Sequence, residues 1–515
     1  MSSSLLLGFC DMKIFHINEN RERIILLGCT LIICLLNIGT SPLIHAITAD
    51  SALFMTMGRA MVSGKVLYRD IFDHKGLYIF LINGIGALIS RNSMNGVFLV
   101  ETVTICVDTF LVYQICRLFL KSKQSMFIAL LFTAFSTNYF VFIGGNLVEE
   151  YALPFQLISL FLICNYLREG KSAHPAKIMF LHGICGGFCL WLRANLVMMW
   201  IPFALLVLCR ELKEKRFVNF WKNIACGLAG IIVISLPVFA YGILNHCMEE
   251  MLYAAFTFNF QYTSAHGSGM FGNILATLFN KHEAVLLLLC AFSCVVLWKK
   301  RTPSFSLVLF VTMLCACFLA ASLSGRAYWQ YYVYLLPFTI PAFSWIAERI
   351  CQKPALRTIS PILIVGFGVC FGLIFPARIL SLCFGRNITL YEQNRDDYRT
   401  AASLKEEYYP SSNNVLVTGG NSQFYVEMNV VPELRYPFAL SMSYDEFPDP
   451  YDEQLNSIID GRDDVVVLVN ESYDADETVP IYDGLKEDAV DEALEQYYEL
   501  VFRSETTGTR MYVRK

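Results

Sequence analysis

Charge is scarce in this chain. Only 16% of its 515 residues are Asp, Glu, Lys or Arg against 55% hydrophobic, with a mean hydropathy of +0.48. A soluble domain carries about 25% charged residues, so a wholly soluble protein is excluded. Cysteine is missing from everything after Cys383, although the chain has 18, and the C-terminal part therefore cannot be a disulfide framework. The cysteines that are present fall mostly in hydrophobic segments, where they act as small apolar residues. Neither Cys185/Cys189 nor Cys290/Cys294 has the Cys-x-x-Cys spacing of a metal or redox site. Thr418-Gly419-Gly420-Asn421 follows a strand-like run but lacks the Gly-x-Gly-x-x-Gly frame there, and reads as a turn rather than a nucleotide cradle. There is no internal repeat and no low-complexity linker.

What is there is membrane-spanning sequence. Crossing the hydrocarbon takes roughly 20 apolar residues, and eleven segments qualify: 24–44, 96–119, 125–143, 151–167, 177–192, 194–209, 222–244, 284–298, 304–323, 332–347 and 359–380. Basic residues mark the cytoplasmic ends of spans. Arg21 and Arg23, Lys121 and Lys123, Arg168 to Lys177, Arg210 to Arg216, Lys299 to Arg301, and Arg349 to Arg357 fall in every second loop. The expectation is a cytoplasmic N-terminus (1–23), a membrane domain (24–384) and an extracytoplasmic C-terminal domain (385–515). The alternation requires residues 76–90 to lie in the interface or re-enter; an additional span is the alternative. The first helix lacks a small-residue cleavage site and reads as a retained anchor.

Residues 385–515 carry 27 acidic and 11 basic side chains, so a basic membrane part bears an acidic tail. In that tail, 396–409 and 488–496 have helical patterns. Val415-Leu416-Val417 and Val465 to Val469 are short apolar runs suited to buried parallel strands, and 498–503 with 510–514 suggests a closing hairpin. The expected fold class is an α-helical polytopic membrane protein of about 11 spans with a small α/β C-terminal domain. A disulfide-free outer domain points to a bacterial plasma membrane.

The chemistry concentrates on the outer side, in loop 45–90. Ionisable groups beside a bilayer are costly and tend to be paired or functional. Asp50 follows the first span, and Leu53, Met57, Ala60 and Met61 recur behind it at helical spacing, so the next helix is expected to lie flat with its apolar side in lipid; a helix N-cap is the plainer role for Asp50. Glu149 and Glu150, after the third span, form a second acidic point. Two such points suit deprotonation of an acceptor hydroxyl or retention of a cation. Arg69, His74 and Lys75, with Arg326, supply groups that bind phosphate. Tyr328, Gln330 and Tyr331 stand at the mouth of a later helix as candidate substrate contacts, or as members of an aromatic belt. Arg193 breaks the positive-inside pattern and should have a partner.

The order of these features resembles the C-type membrane glycosyltransferases: Asp50 at the exit of the first helix, Gly64-x-x-x-Tyr68 with Asp73-His74-Lys75-Gly76 ahead of an interfacial helix, Glu149-Glu150, and a multispan body with a soluble tail. Within them it is most similar to the polyprenyl-phosphate-sugar-dependent protein mannosyltransferase and lipid A aminoarabinose transferase group. The resemblance covers residues 20–380 and is most specific in 45–90. It implies a lipid-phosphate sugar donor, Asp50 as catalytic acid/base residue, Lys75 on the donor phosphate, and Glu150 or Glu149 as the second acid. Tyr68 joins the candidate substrate contacts. Departures are Asp50-Ser51 in place of Asp-Glu, Gly76 in place of Pro, and Gln330 in place of His. The expected partners are the donor, an envelope glycan, lipid or protein acceptor, and the bilayer, with no nucleic acid. No cofactor or metal is required, since basic side chains can neutralise one phosphate, although a divalent ion between Asp50 and Glu150 stays open. The competing classes are a transporter or flippase of lipid-linked glycans and a non-catalytic scaffold. Ionisable residues near mid-membrane would favour transport, and here Asp108 is the main exception to a cluster at the outer mouth.

Overall fold

The computed structural model describes residues 20–137, 145–264, 272, 274, 281–322, 329–352, 389–418, 421–438, 442–469 and 484–515. The N-terminal body is a helical bundle. Its described elements are α1 (Asn20–Asn37), α2 (Ala49–Val62), α3 (Leu77–Ile89), α4 (Asn95–Arg117), α5 (Ser122–Ser136), α6 (Val148–Glu169), α7 (Ala176–Leu192), a 3-10 turn (Ala194–Met199) running into α8 (Trp200–Lys213), α9 (Phe217–Leu244), α10 (Met248–Leu252), a π turn (Tyr253–Thr257), α11 (Phe258–Ser264), α12 (Lys281–Lys299), α13 (Ser304–Ser322), a 3-10 helix (Trp329–Thr339) and α14 (Ile340–Gln352). Five of these stretches are long and apolar enough to cross a membrane, Asn95–Arg117, Val148–Glu169, Ala194–Lys213, Phe217–Leu244 and Ser304–Ser322. On α9, Ile232, Leu236, Ile243 and Leu244 are exposed, as expected of a helix whose solvent is lipid. The expected span at 359–380 lies outside the described residues.

Two expectations for the first segments need correction. The helix of the first span ends at Asn37, and residues 38–48 turn back rather than continuing to residue 44. More consequentially, α2 does not rest its apolar side on lipid. Phe54, Met57 and Ala60 are buried in protein, because α2 packs on α3 so closely that a Cβ at Gly58 would come within 2.6 Å of the Asn83 backbone, and its other side meets the C-terminal domain. The α3 helix has 13 residues, about 20 Å at 1.5 Å per residue, against roughly 30 Å of hydrocarbon.

The C-terminal domain begins with α15 (Thr389–Tyr408) and contains β1 (Val415–Val417), α16 (Gln423–Glu427), α17 (Asp449–Ile459), β2 (Val465–Leu468), α18 (Glu487–Tyr497), β3 (Tyr498–Arg503) and β4 (Arg510–Arg514). The sheet order is β1-β2-β4-β3. β1 and β2 are parallel, and β4 pairs antiparallel with both β2 and β3. Strand alternation sends Val415, Val417, Val465 and Val467 to one face with Tyr398 and Phe424, and Leu416, Val466 and Leu468 to the other with Leu455, Ile458 and Leu494. Helices on both faces explain why the strands read as unbroken valine and leucine runs.

This domain sits directly on loop 63–76. Phe72 N–H donates to the Arg435 carbonyl at 2.8 Å, Arg435 Nη2 donates to the Tyr68 carbonyl at 3.2 Å, and Lys65 Nζ donates to the Pro432 carbonyl at 2.7 Å. Phe72 also packs on Tyr436 and Phe258, with ring centroids 5.3 and 5.6 Å away.

Candidate active site

Loop 63–76 is fixed by its own residues before anything binds to it. Tyr68 adopts a φ of +73°, a left-handed conformation that costs a non-glycine residue about 1–2 kcal/mol. It is fully buried, its N–H donates to the Ile71 carbonyl at 2.7 Å, and its hydroxyl donates to the Lys75 carbonyl at 3.0 Å. Tyr68 thus holds the backbone that carries Lys75 and lies outside the wall of the cavity described below. Gly76 N–H donates to the Leu192 carbonyl at 3.1 Å, and a Cβ at Gly76 would lie 1.9 Å from the Trp191 oxygen. Proline, with a Cβ and no N–H, does not fit this contact, which accounts for the departure from the family pattern.

The loop, α2, the start of α6, the α7 exit and the 3-10 helix 329–339 enclose a cavity of ≈ 280 Å³ beneath the C-terminal domain. Asp50, Asp73, His74, Lys75, Glu149, Arg193, Gln330 and Tyr331 stand in its walls together with Ser422 and Phe438. The N-cap of α2 is Thr48, whose hydroxyl accepts from Ser51 N–H at 3.2 Å, so the half-buried Asp50 is not the cap. Its Oδ2 accepts from Gln330 Nε2 at 3.3 Å. Behind it, Asn146 Nδ2 donates to the Ser51 carbonyl and hydroxyl, each at 3.2 Å, which fixes the first turn of α2.

Glu149 and Arg193 are partners, with Arg193 Nη2 2.5 Å from Glu149 Oε1. The guanidinium also lies 4.1 Å from the Tyr331 ring centroid, a cation–π distance, and its Nε donates to Asn195 Oδ1 at 2.9 Å. Elsewhere in the cavity lining, Lys75 Nζ is 2.8 Å from His74 Nε2, and His74 Nδ1 is 3.1 Å from Asp73 Oδ1 without hydrogen-bond alignment. An ammonium can only donate, so His74 Nε2 accepts and the ring proton belongs on Nδ1, facing Asp73. Burial, reinforced by Lys75, holds His74 below its usual 6.5, with Asp73 offsetting part of the effect. For Asp73 burial pushes upward, but Lys75 and His74 outweigh it and leave the carboxyl below its usual range.

A titration follows from this geometry. The unfolded chain takes up the His74 proton at a higher pH than the folded one, so His74's contribution to stability is full above pH 6.5 and is lost as pH falls below it. The difference in thermal stability between wild type and His74→Phe should therefore shrink on acidification below that value. A difference independent of pH would show that the imidazole is not held neutral.

Not every residue expected at the site lies in it. Glu150 does not share the cavity with Asp50; its carboxylate accepts from Gly145 N–H at 3.2 Å and Leu147 N–H at 3.1 Å, closing the start of α6. The Asp50/Glu150 pair imagined for a divalent ion therefore does not converge. Among the described residues, no group of three or more His, Cys, Asp or Glu side chains is placed as a ligand set. Arg69 is turned away, its Nε donating to Asp70 Oδ1 at 2.8 Å and its Nη1 to the Asn245 carbonyl at 3.1 Å. Arg326 and Tyr328 lie outside the described residues. Sequence reasoning quoted Asp73 in the Asp73-His74-Lys75-Gly76 run but gave it no role at the site, although its adjacency to His74 was a usable signal. It also missed Ser422 and Phe438, which reach the cavity from the C-terminal domain and carry no local signal.

The architecture matches solved membrane transferases. The crystal structure of ArnT from Cupriavidus metallidurans bound to undecaprenyl phosphate aligns with a TM-score of 0.61 and 13% identity over 95% of this chain and 97% of that one. The apo state of the same enzyme aligns with 0.57 and 11% over 99% and 98%. The Archaeoglobus fulgidus oligosaccharyltransferase tethered to an acceptor peptide gives 0.49 and 12% over 96% and 74%. The fold defined by the ArnT alignments is that of the C-type membrane glycosyltransferases, a helical polytopic body with a small C-terminal sheet domain. Within the proteins of this fold, the chain belongs to the family described as "Putative competence-induced protein Ccs4 N-terminal domain", whose model matches residues 14–352. No curated protein matches it in sequence.

Proposed function

We propose that the chain transfers a sugar from a polyprenyl-phosphate-linked donor to a hydroxyl of a cell-envelope glycan, lipid or protein at the outer face of a bacterial plasma membrane. In this reading 24–384 is the transferase domain, with loop 45–90 at its catalytic face, and 385–515 is extracytoplasmic. The observation that carries it is one cavity lined by both a half-buried carboxylate, Asp50, and an ammonium, Lys75. The ArnT structure with undecaprenyl phosphate, of the same fold, supports the donor class. Asp50 takes the acceptor proton as the hydroxyl oxygen bonds to the anomeric carbon; the bond from that carbon to the phosphate oxygen breaks, the configuration inverts, and the electron pair leaves with the phosphate. Lys75 neutralises that leaving group. Arg193 lines the same cavity but is already shared with Glu149, which makes its role chiefly one of shaping the site. No step requires a metal or cofactor.

Lys75→Met keeps the apolar stem and removes the charge. Loss of one stabilising donor at such a site costs about 2.7–4 kcal/mol, or a 10²–10³-fold lower rate, measured at saturating donor with expression unchanged. An unimpaired rate would reduce Lys75 to a lipid anchor.

A further inference from the structure

Four helices meet at one side chain behind the cavity. Asn146 has a φ of +58°, a left-handed conformation that asparagine tolerates better than most residues with a Cβ, and it is fully buried. Its N–H donates to Glu101 Oε1 on α4 at 3.0 Å. Its Nδ2 donates to the Ser51 carbonyl and hydroxyl on α2, each at 3.2 Å, and to Asn83 Oδ1 on α3 at 2.8 Å. Its Oδ1 accepts from Asn83 Nδ2 and from the Tyr151 hydroxyl on α6, both at 3.0 Å. Asn146 itself does not line the cavity.

Glu101 is the anchor of this arrangement. It lies on the membrane-spanning α4 and is 1% exposed, where a carboxylate is expensive and marks a functional position by default. Its second oxygen accepts from the Thr40 hydroxyl, so one carboxylate ties the turn after α1 and the turn before α6 to the same helix. Ser51 follows Asp50 directly, and Glu149 stands three residues after Asn146. Asn83 belongs to the helix that starts two residues after Lys75. The elements that carry the base, the phosphate contact and the Glu149/Arg193 pair are therefore all referred to a single amide.

We propose that Asn146, anchored by Glu101, is a positioning residue for sugar transfer: it sets the place of Asp50 relative to Lys75 through its bonds to Ser51. The inference rests on the transferase reading above and adds to it residues that act without touching a substrate. Proximity catalysis depends on such placement, because a reacting group held about 1 Å out of line can lose about 10²-fold in rate while binding survives.

The test uses the full chain in nanodiscs. Asn146→Gly keeps the left-handed backbone and the N–H bond to Glu101 and removes only the amide, whereas Asn83→Ala disturbs the same set of bonds but leaves those to Ser51. Both should lower the unfolding temperature. Only Asn146→Gly should lower kcat, by about 10²-fold, with KM for the polyprenyl-phosphate sugar nearly unchanged, and only it should speed hydrogen exchange in the first turn of α2, residues 49–54. Should Asn146→Gly fail to fold, Ser51→Ala, which removes one of the two acceptors on α2, carries the same signature at smaller size. An equal loss of kcat in Asn146→Gly and Asn83→Ala, or unchanged kcat and exchange in the variant that weakens the contact with Ser51, would overturn the proposal. Failure of the transferase reading shows separately, as a wild type that turns over no donor, and exchange then decides the positioning role alone.

Discussion

Asp50→Asn is expected to lower sugar transfer by about 10²–10⁴-fold, the usual worth of a general base, while leaving the fold unchanged. The substitution keeps the side-chain volume. Its amide oxygen can still accept from Gln330, which now bonds Asp50 Oδ2, and the helix cap is untouched because Thr48 supplies it. Only basicity is removed. Donor affinity, which the proposal assigns to Lys75, should therefore survive while turnover falls. A variant that retained more than about a tenth of wild-type turnover would fall short of that range and leave Asp50 a structural role.

Arg193→Met is expected to destabilise the protein by about 3–5 kcal/mol, because it strands the Glu149 carboxylate, 2% exposed, without its counter-ion. Methionine preserves some of the packing beneath Tyr331 but not the charge. The double variant Glu149→Gln/Arg193→Met should recover a large part of the loss, since replacing a buried pair costs far less than breaking it. Thermal unfolding of wild type, Arg193→Met, Glu149→Gln and the double variant in one detergent makes the comparison. A single variant as stable as wild type, or a double variant no better than the single, would show that the pair is not the anchor of this wall.

Much of this was legible in the sequence, for identifiable reasons. Charges beside a bilayer are expensive, so Asp50, His74, Lys75 and Arg193 stood out in apolar surroundings, and Arg193 was expected to have the partner it has in Glu149. The valine runs 415–417 and 465–468 announced parallel strands because both faces are covered. Other features were not legible. Adjacent residues on a helix point about 100° apart, so Glu149 can face the cavity while Glu150 bonds the first turn. Pattern alone could not separate them, since the N-cap is Leu147 rather than a recognisable Ser or Thr. Arg69 looked equivalent to Lys75 until Asp70 was seen to hold it. The helix 49–62 looked amphipathic, and periodicity does not distinguish lipid from protein as the apolar partner. Here the partners are α3 and a domain more than 300 residues away in sequence.

One reaction separates transfer from transport of a lipid-linked glycan, a reading to which the buried Asp108 on α4 would otherwise lend itself. The protein is reconstituted in nanodiscs with polyprenyl-phosphate sugars labelled in the sugar, an envelope extract is supplied as acceptor, and the lipid and polymer fractions are followed over time. The expected result is release of unsubstituted polyprenyl phosphate in step with label entering the polymer, with both signals lost together in Asp50→Asn. Donor that stays intact with every sugar offered, or transfer that proceeds equally in Asp50→Asn, would contradict a glycosyltransferase centred on Asp50.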